Sequence, residues 1–218
     1  CIRDRNIPDE LANDDIYYNR GNSGKHTGAV TLTQSMRDFH NLYVKRTLIH
    51  GVSHIGNTLI DLAVGKGGDI PKWIAAKLSF VFGIDYSKDN IENKIDGVCA
   101  RYLNYRKKFN RMPAGIFIHG DSSQLIRNGT AAITDRYKQI TRAIFGEGAK
   151  DVDILGRGVY NQYGKGENGF DICSIQFAIH YFFANTKSMH TFLCNVCECT
   201  KMGGYFIGTC YDGDAIFD

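Results

Sequence analysis

Five short apolar runs, separated by segments long enough to form helices, constrain the fold of this chain most strongly. The runs predict strands at residues 58–63, 80–85, 115–119, 169–175 and 205–209. Strands that alternate with helix-length connections form parallel sheets, because a parallel pair needs a long crossover. We therefore expect an α/β fold, with a mostly parallel sheet and helices on both of its faces.

The segments between the runs carry helical patterns. Apolar residues at three- and four-residue steps predict a helix over 36–49, and further helices are expected at 69–77 and 88–109. Asp69 is placed to cap the second of these, with Pro71 in its first turn. Residues 122–168 are expected to form a surface insertion that is helical over 130–145. We expect residues 1–35 to be an arm or linker and residues 36–218 to be the main domain.

Composition places the chain among ordinary globular proteins. Its 218 residues are 43% hydrophobic and 22% charged, which suits one domain with a core. The sequence has neither a long apolar membrane segment nor a signal-peptide start. Seven cysteines without regular spacing are typical of reduced thiols. The chain begins with Cys1 rather than methionine, so we expect a fragment of a longer protein.

Charge alone does not indicate a nucleic-acid partner, since the net charge is only +3. One basic run stands between the second and third predicted strands: Arg101, Arg106, Lys107, Lys108 and Arg111. Two interpretations stay open for it, a solvated helix face and a phosphate-binding surface.

The glycine-rich segment after the first strand, residues 65–69, indicates a nucleotide-like ligand. A P-loop is excluded, because Gly65-Lys66 is followed by Gly67 rather than by Ser or Thr. A dinucleotide fingerprint is weak, because Ile70 stands where its third glycine belongs. The remaining interpretation is an adenosine cofactor without phosphate.

Two carboxylates at strand ends agree with such a cofactor. Asp85 ends the second strand and can accept hydrogen bonds from both ribose hydroxyls. Asp121 follows the third strand and can accept from an adenine amine. These roles suit S-adenosylmethionine, while the alternative is that both residues only cap helices or turns.

Five stretches, in the same order, resemble the cellular and viral mRNA cap guanine-N7 methyltransferases. They are residues 39–49, the Gly65-Lys66-Gly67-Gly68-Asp69 core within 59–73, residues 120–123, residues 170–181 and residues 203–209. The resemblance implies a Rossmann-like class I S-adenosylmethionine-dependent methyltransferase fold whose C-terminal part is missing. Residues 13–20 are similar to the linker before this domain in multifunctional capping enzymes of large DNA viruses.

The resemblance also implies the roles of individual residues. The expected cofactor-contacting residues are Lys45, Ala63, Gly65, Asp69, Asp85, Asp121 and Gln176. The expected residues for the capped guanosine and its phosphates are Asn41, Lys66, Arg101, Phe177, His180 and Tyr181. His180 is expected to donate or accept a hydrogen bond at the base, with a purely structural histidine as the alternative. No metal site is expected, because Cys194, Cys197 and Cys199 have no matching second pair.

The implied activity is methyl transfer from S-adenosylmethionine to N7 of the 5′ cap guanosine of mRNA. It would use capped mRNA, with guanylyltransferase and triphosphatase domains expected on the same polypeptide. The implied location is cytoplasmic, in a viral factory or virion, for a viral enzyme and nuclear for a cellular one. The alternatives are a methyltransferase of another RNA position or small molecule, and a non-catalytic module of a capping complex.

Two departures from the family pattern bear on these expectations. Ala63 and Val64 stand where a glycine and a small residue are usual, which leaves the cofactor less room. The family also uses a glutamate and a tyrosine beyond the fifth strand, and we expect this chain to stop before them.

Overall fold

The computed structural model describes residues 34–213 and contains one five-stranded parallel sheet. Its strands are β1 (Thr58–Asp61), β2 (Phe80–Asp85), β3 (Ala114–His119), β4 (Phe170–Gln176) and β5 (Thr200–Thr209). Their spatial order is β3-β2-β1-β4-β5. The order reverses direction at β1, between β2 and β4, which is where doubly wound sheets bind ligands.

The helices and turns occupy the connections as follows: α1 (Gln34–Asp38), a π-helical segment (Phe39–Val44), α2 (Lys45–Val52), α3 (Ile70–Ala75), α4 (Lys88–Glu92), α5 (Val98–Lys108), α6 (Asp135–Ile144), α7 (Val152–Leu155), α8 (Arg157–Tyr160), a 3₁₀ turn (Ile179–Ala184) and α9 (Thr186–Cys199). The five predicted strands and the parallel α/β class are therefore confirmed. The chain has the Rossmann-like fold expected from its sequence.

Helices cover both faces of the sheet because side chains alternate along each strand. In β2, Phe80 and Phe82 point into one apolar cluster, while Val81 points into the other. The first cluster includes Phe192 of α9 and Ile144 of α6. The second cluster contains the buried side chains of α2, α3 and α5. Trp73 of α3 is buried in it, and its ring stacks on that of Phe117.

The predicted helix over 88–109 is wrong as a single element, since the chain breaks between α4 and α5. The Asn93 side chain accepts hydrogen bonds from the backbone N–H groups of Ile95 (2.9 Å) and Asp96 (3.2 Å). This local bonding competes with helix continuation, and Gly97 then starts α5. The break turns the chain between β2 and β3 into two short helices instead of one long one.

Asp69 occupies the N-cap position of α3, and Pro71 lies in the first turn, both as expected. The capping role itself is wrong, because the Asp69 carboxylate makes no hydrogen bond to a backbone N–H of that turn. It forms ion pairs with Lys72 (2.7 Å) and Lys45 (3.4 Å) instead. The carboxylate is thus committed to two lysines behind the glycine loop.

The region between β3 and β4 contains more regular structure than expected. The helix predicted over 130–145 is present as α6, and the glycine-rich remainder adds the short helices α7 and α8. Arg136 of α6 holds α7 by donating to the carbonyl groups of Ile154 (2.6 Å) and Leu155 (2.8 Å). The predicted arm lies, apart from residues 34 and 35, outside the described residues.

Candidate functional site

A cavity of about 520 Å³ opens at the carboxyl edge of the sheet. Parallel strands bring their following loops to one edge, so the chain after β1, β2, β3 and β4 meets there. The lining residues are Leu62, Ala63, Asp85, Tyr86, Asn90, Asp121, Ser122, Ser123, Phe177, Ala178, His180, Tyr181, Phe182, Ala184, Ser188 and Tyr211. The volume lies within the range of small-molecule sites.

Asp85, at the end of β2, forms part of the acidic wall of the cavity. Its Oδ1 accepts hydrogen bonds from the backbone N–H of Ser87 and from Asn90 Nδ2, both at 2.9 Å. Its Oδ2 accepts from the Gly65 N–H at 2.7 Å. A carboxylate offers about four acceptor positions, so Oδ2 retains one for a ligand hydroxyl. Burial raises the pKa of Asp85, and the three hydrogen bonds oppose that shift.

Two glycines of the loop after β1 have different roles. Gly65 adopts φ +54°, and a Cβ placed on it would meet no atom within 4 Å. Gly67 adopts φ +70°, and a Cβ there would lie 2.7 Å from Val98 of α5. Gly67 is therefore required for packing, while Gly65 supplies left-handed backbone beside open space.

Asp121 lies on the segment after β3, and the Ser123 N–H donates to its Oδ1 at 2.8 Å. This segment is fastened on two sides. Ser122 Oγ donates to the Leu62 carbonyl at 2.7 Å. The fully buried Asn195 of α9 donates to the Ser122 carbonyl (2.9 Å) and the Gln124 carbonyl (2.8 Å). The wall that carries Asp121 is thereby held against both β1 and α9.

A group of buried charges lies behind the glycine loop. Lys45 and Lys72 both pair with Asp69, as described above, and Asp61 at the end of β1 lies close enough to interact electrostatically with Asp69 and Lys45. Burial, followed by the charge of Asp69, raises the pKa of Asp61 to about 7. Lys45 and Asp69 were expected to contact the cofactor, but neither lines the cavity.

The chain after β4 forms the aromatic wall. Phe177 adopts φ +57°, a left-handed conformation that is costly for a residue with a side chain. Its N–H donates to the Thr209 carbonyl at 3.0 Å, which holds the strained turn against β5. The rings of His180 and Tyr181 follow at a centroid distance of 4.2 Å. Burial lowers the pKa of His180, which favours neutral imidazole.

Gln176 precedes this turn and is buried away from the cavity. Its Nε2 donates to Ser174 Oγ at 3.1 Å, and its Oε1 accepts from Thr209 Oγ1 at 3.1 Å. Both of its polar atoms are therefore engaged within the protein. The structure places Gln176 as a support of the Phe177 turn.

Of the two residues expected at the cap phosphates, Lys66 lies within the glycine loop and Arg101 lies on α5. Lys66 Nζ forms 3.0 Å ion pairs with Asp89 and Asp96. Arg101 Nη1 donates to the Lys66 carbonyl at 2.9 Å. Neither lines the cavity, and neither does Asn41, which is half-buried on the π-helical segment.

The cavity therefore brings together six of the expected residues: Ala63, Asp85, Asp121, Phe177, His180 and Tyr181. Sequence reasoning missed several others, including Tyr86, Asn90, Ser188 and Tyr211. The position of Asn90 could have been inferred, because it lies in the first turn of the helix that follows Asp85, three residues beyond the N-cap Ser87. Tyr211 had no comparable signal, since it follows β5 in a segment without periodicity.

Within residues 34–213, no three His, Cys, Asp or Glu side chains are grouped so that they could hold a metal ion. Across the same residues, none of the helices is both long and apolar enough for a membrane span.

The strand order, the glycine loop and the carboxylate at the end of β2 define the Rossmann-like class of S-adenosylmethionine-dependent methyltransferases. Residues 9–218 match the family model of the mRNA (guanine-N(7))-methyltransferase domain, and the chain belongs to this family.

Curated relatives come from a virus, a fungus and a plant. A probable mRNA-capping enzyme of Acanthamoeba polyphaga mimivirus is 29% identical over 83% of this chain and 14% of its own length. An mRNA cap guanine-N(7) methyltransferase of Aspergillus niger is 30% identical over 84% of the chain and 30% of its own length. The Oryza sativa enzyme of that name is 28% identical over 81% of the chain and 38% of its own length. The chain thus spans less than two-fifths of each of them.

Proposed function

We propose that this domain transfers a methyl group from S-adenosylmethionine to N7 of the guanosine that caps mRNA. The observation that carries the proposal is the division of one cavity into an acidic wall and an aromatic wall. Asp85 and Asp121 form the first, and Phe177, His180 and Tyr181 form the second. Such a cavity suits two ligands, one with ribose hydroxyls and one with a flat base.

The acidic side fits the adenosine part of S-adenosylmethionine. The open acceptor position on Asp85 Oδ2 suits a ribose hydroxyl. Gly65, the donor to that carboxylate, does not itself line the cavity, but a Cβ placed on it would meet no atom within 4 Å, so a ligand has room to approach its backbone. Asp85 can take one further hydroxyl in the plane of its carboxylate, rather than the two expected from sequence. Asp121 suits the adenine amine. The bound cofactor would supply an electrophilic methyl group on a sulfonium.

The aromatic side fits guanine. A ring face such as that of Tyr181 stacks on the base, and the attraction grows as methylation makes the base cationic. Nδ1 of His180 is buried, so Nε2 is the ring nitrogen that can donate to or accept from the base, according to the tautomer of the neutral ring. These groups recognise a purine without needing any charge of their own.

The chemistry requires orientation more than proton transfer. Guanine N7 carries a lone pair and no proton, so the methyl group moves to it without a general base. Alignment of the two ligands supplies most of the acceleration that a protein can give here. The ring faces of the aromatic wall add electrostatic stabilisation as positive charge moves from sulfur to the base, because a cation is attracted to an aromatic ring.

Phosphate contacts by Lys66 and Arg101 are a finer part of the proposal. The ion pairs of Lys66 with Asp89 and Asp96 must open, or share the lysine, when a triphosphate bridge arrives. Capped mRNA is the proposed partner, and the likeness to the mimivirus protein supports capping domains on the same polypeptide.

The test is methyl transfer from labelled S-adenosylmethionine to guanosine-capped RNA, beside the same RNA already methylated at N7. Cofactor binding is measured separately by calorimetry. Transfer to the unmethylated cap alone supports the proposal. Transfer to both RNAs indicates another target position, and cofactor binding without any transfer indicates a non-catalytic module.

A further inference from the structure

The first helical segment exposes apolar side chains that the core does not use. Phe39 is 54% exposed, Leu42 68% and Tyr43 63%. The Phe39 and Tyr43 rings stack on each other, with centroids 5.5 Å apart and an interplanar angle of 22°. Single exposed apolar residues are common, but a contiguous patch indicates a contact surface.

These side chains lie on the π-helical segment Phe39–Val44. The Lys45 N–H donates to the His40 carbonyl five residues earlier, which is the bond that widens the helix there. Single π turns cost stability and occur often at functional sites. The patch and the unusual backbone therefore coincide.

The patch is continuous with the aromatic wall of the cavity. The His40 ring makes T-shaped contacts with two other rings. Its centroid lies 5.5 Å from that of the Phe39 ring and 5.0 Å from that of the Phe177 ring. Phe177 in turn lies 5.9 Å from Tyr211, which itself lines the cavity. Tyr211 then approaches His180 at 5.4 Å. We call this series of rings, from Tyr43 to His180 and its neighbour Tyr181, the aromatic track.

Cationic groups accompany the track. Arg46 is exposed and lies three residues beyond Tyr43, so the two share one face of the helix. Arg37 is exposed at the other end of the segment. Lys45 Nζ lies 5.5 Å from the centroid of the Phe177 ring. Aromatic rings interleaved with cations are the combination by which proteins hold single-stranded nucleic acid.

We propose that the aromatic track binds the single-stranded nucleotides that follow the capped guanosine of the RNA. Bases would stack on Phe39 and Tyr43, while Arg37 and Arg46 meet the phosphates. The inference rests on the proposed function, because the cap in the cavity sets the start of the RNA path. RNA is favoured over a protein partner because the patch leads into that cavity and is flanked by cations.

The experiment compares two ligands by fluorescence anisotropy with the full 218-residue chain: a cap dinucleotide and a capped ten-nucleotide RNA. Phe39→Ala and Tyr43→Ala should each weaken binding of the RNA about tenfold, the loss expected from one stacked base. Both variants should bind the dinucleotide within a factor of two of the unaltered chain. Leu42→Ala is the matched control on the same segment, and Phe109→Ala removes an exposed ring elsewhere.

The outcomes separate this inference from the proposed function. Equal losses for dinucleotide and RNA, or an equal loss with Leu42→Ala, overturn the stacking role. Unchanged RNA affinity assigns the patch to a protein contact or to another part of the chain, and also overturns it. If the unaltered chain does not bind the dinucleotide, the proposed function fails, and an uncapped RNA of the same sequence then tests the track. Circular dichroism melting verifies that each variant is folded.

Discussion

The backbone N–H of Gly65 donates a 2.7 Å hydrogen bond to Oδ2 of Asp85. This bond fixes the loop after β1 to the carboxylate at the end of β2, beside the point where the sheet reverses its order. Removing the carboxylate therefore affects the loop as well as any ligand that the carboxylate holds.

The variant Asp85→Ala should weaken binding of S-adenosylmethionine by at least about tenfold. It removes the ligand acceptor and leaves the N–H groups of Gly65 and Ser87 without this partner, each at a cost of about 1–3 kcal/mol when buried. Calorimetric titration measures the affinity. Asp153→Ala, an exposed carboxylate in α7, is the control and should bind as the unaltered chain does. An unchanged affinity in Asp85→Ala would contradict the assigned role.

Asp61 should make stability depend on pH. Its pKa is about 7 in the folded state, above the usual 3.8, because of burial and the charge of Asp69. The pKa of Asp61 is higher in the folded state than in the unfolded state. Its contribution to the free energy of unfolding is therefore fully present at pH values below the unfolded-state pKa, and it is lost as the pH rises through the folded-state pKa of about 7. The loss is on the order of 4 kcal/mol at most, from about three pH units.

The measurement for Asp61 is urea unfolding at pH 5 and pH 8.5. The variant Asp61→Asn keeps an oxygen acceptor for the Ala63 N–H and cannot ionise, so it should lose less stability between the two pH values. Glu198→Gln, at an exposed position, should retain the pH dependence of the unaltered chain. Identical profiles for Asp61→Asn and the unaltered chain would show that Asp61 titrates normally.

Asn195→Asp should destabilise the protein by about 3 kcal/mol, because the substitution places an acceptor against the carbonyl groups of Ser122 and Gln124. The wall that carries Asp121 should loosen at the same time. Thermal melting measures the first effect and cofactor titration the second. Asn185→Asp caps the same helix and keeps its acceptor for the Ser188 N–H, so it should melt close to the unaltered chain.

The strained turn at Phe177 yields a matched pair of variants. Phe177→Ala and Phe177→Gly both remove the ring and should impair binding of the capped guanosine equally. Phe177→Gly should nevertheless be more stable by about 1 kcal/mol, because glycine adopts φ +57° without steric cost. Denaturant unfolding compares the two. A glycine variant less stable than the alanine variant would show that the turn relaxes when the ring is removed.

The centre of the sheet was predictable because β1, β2 and β4 are buried on both faces and their sequences are largely continuous apolar runs. The break in the predicted helix 88–109 was not, since it depends on the Asn93 side chain bonding to its own backbone. That competition leaves no trace in the apolar periodicity. Side-chain pairing of this kind also explains the wrong prediction for Asp69. It was expected to cap a helix, but its carboxylate forms ion pairs with Lys45 and Lys72.

At the site, the cavity-lining carboxylates were predictable because strand ends of a parallel sheet converge. The positions of Lys45, Lys66 and Gln176 were not, because each of them has at least one partner in a distant part of the chain. Lys66 illustrates this, since Asp96 lies thirty residues away and pairs with it only through the helix break. The exposure of Phe39 and Tyr43 could not be predicted from the sequence either, because helical spacing alone does not show which face of a helix is covered by the rest of the protein.

The strand order has a consequence for how the protein is made. β1 pairs with β2 on one side and with β4, far later in the chain, on the other. Synthesis proceeds from the N-terminus, so β1, β2 and β3 can assemble while β4 is still untranslated. β2, which carries Asp85, can therefore pair with β1 before Phe177, His180 and Tyr181 are translated, so the side of the cavity proposed for the cofactor can begin to form before the side proposed for guanine.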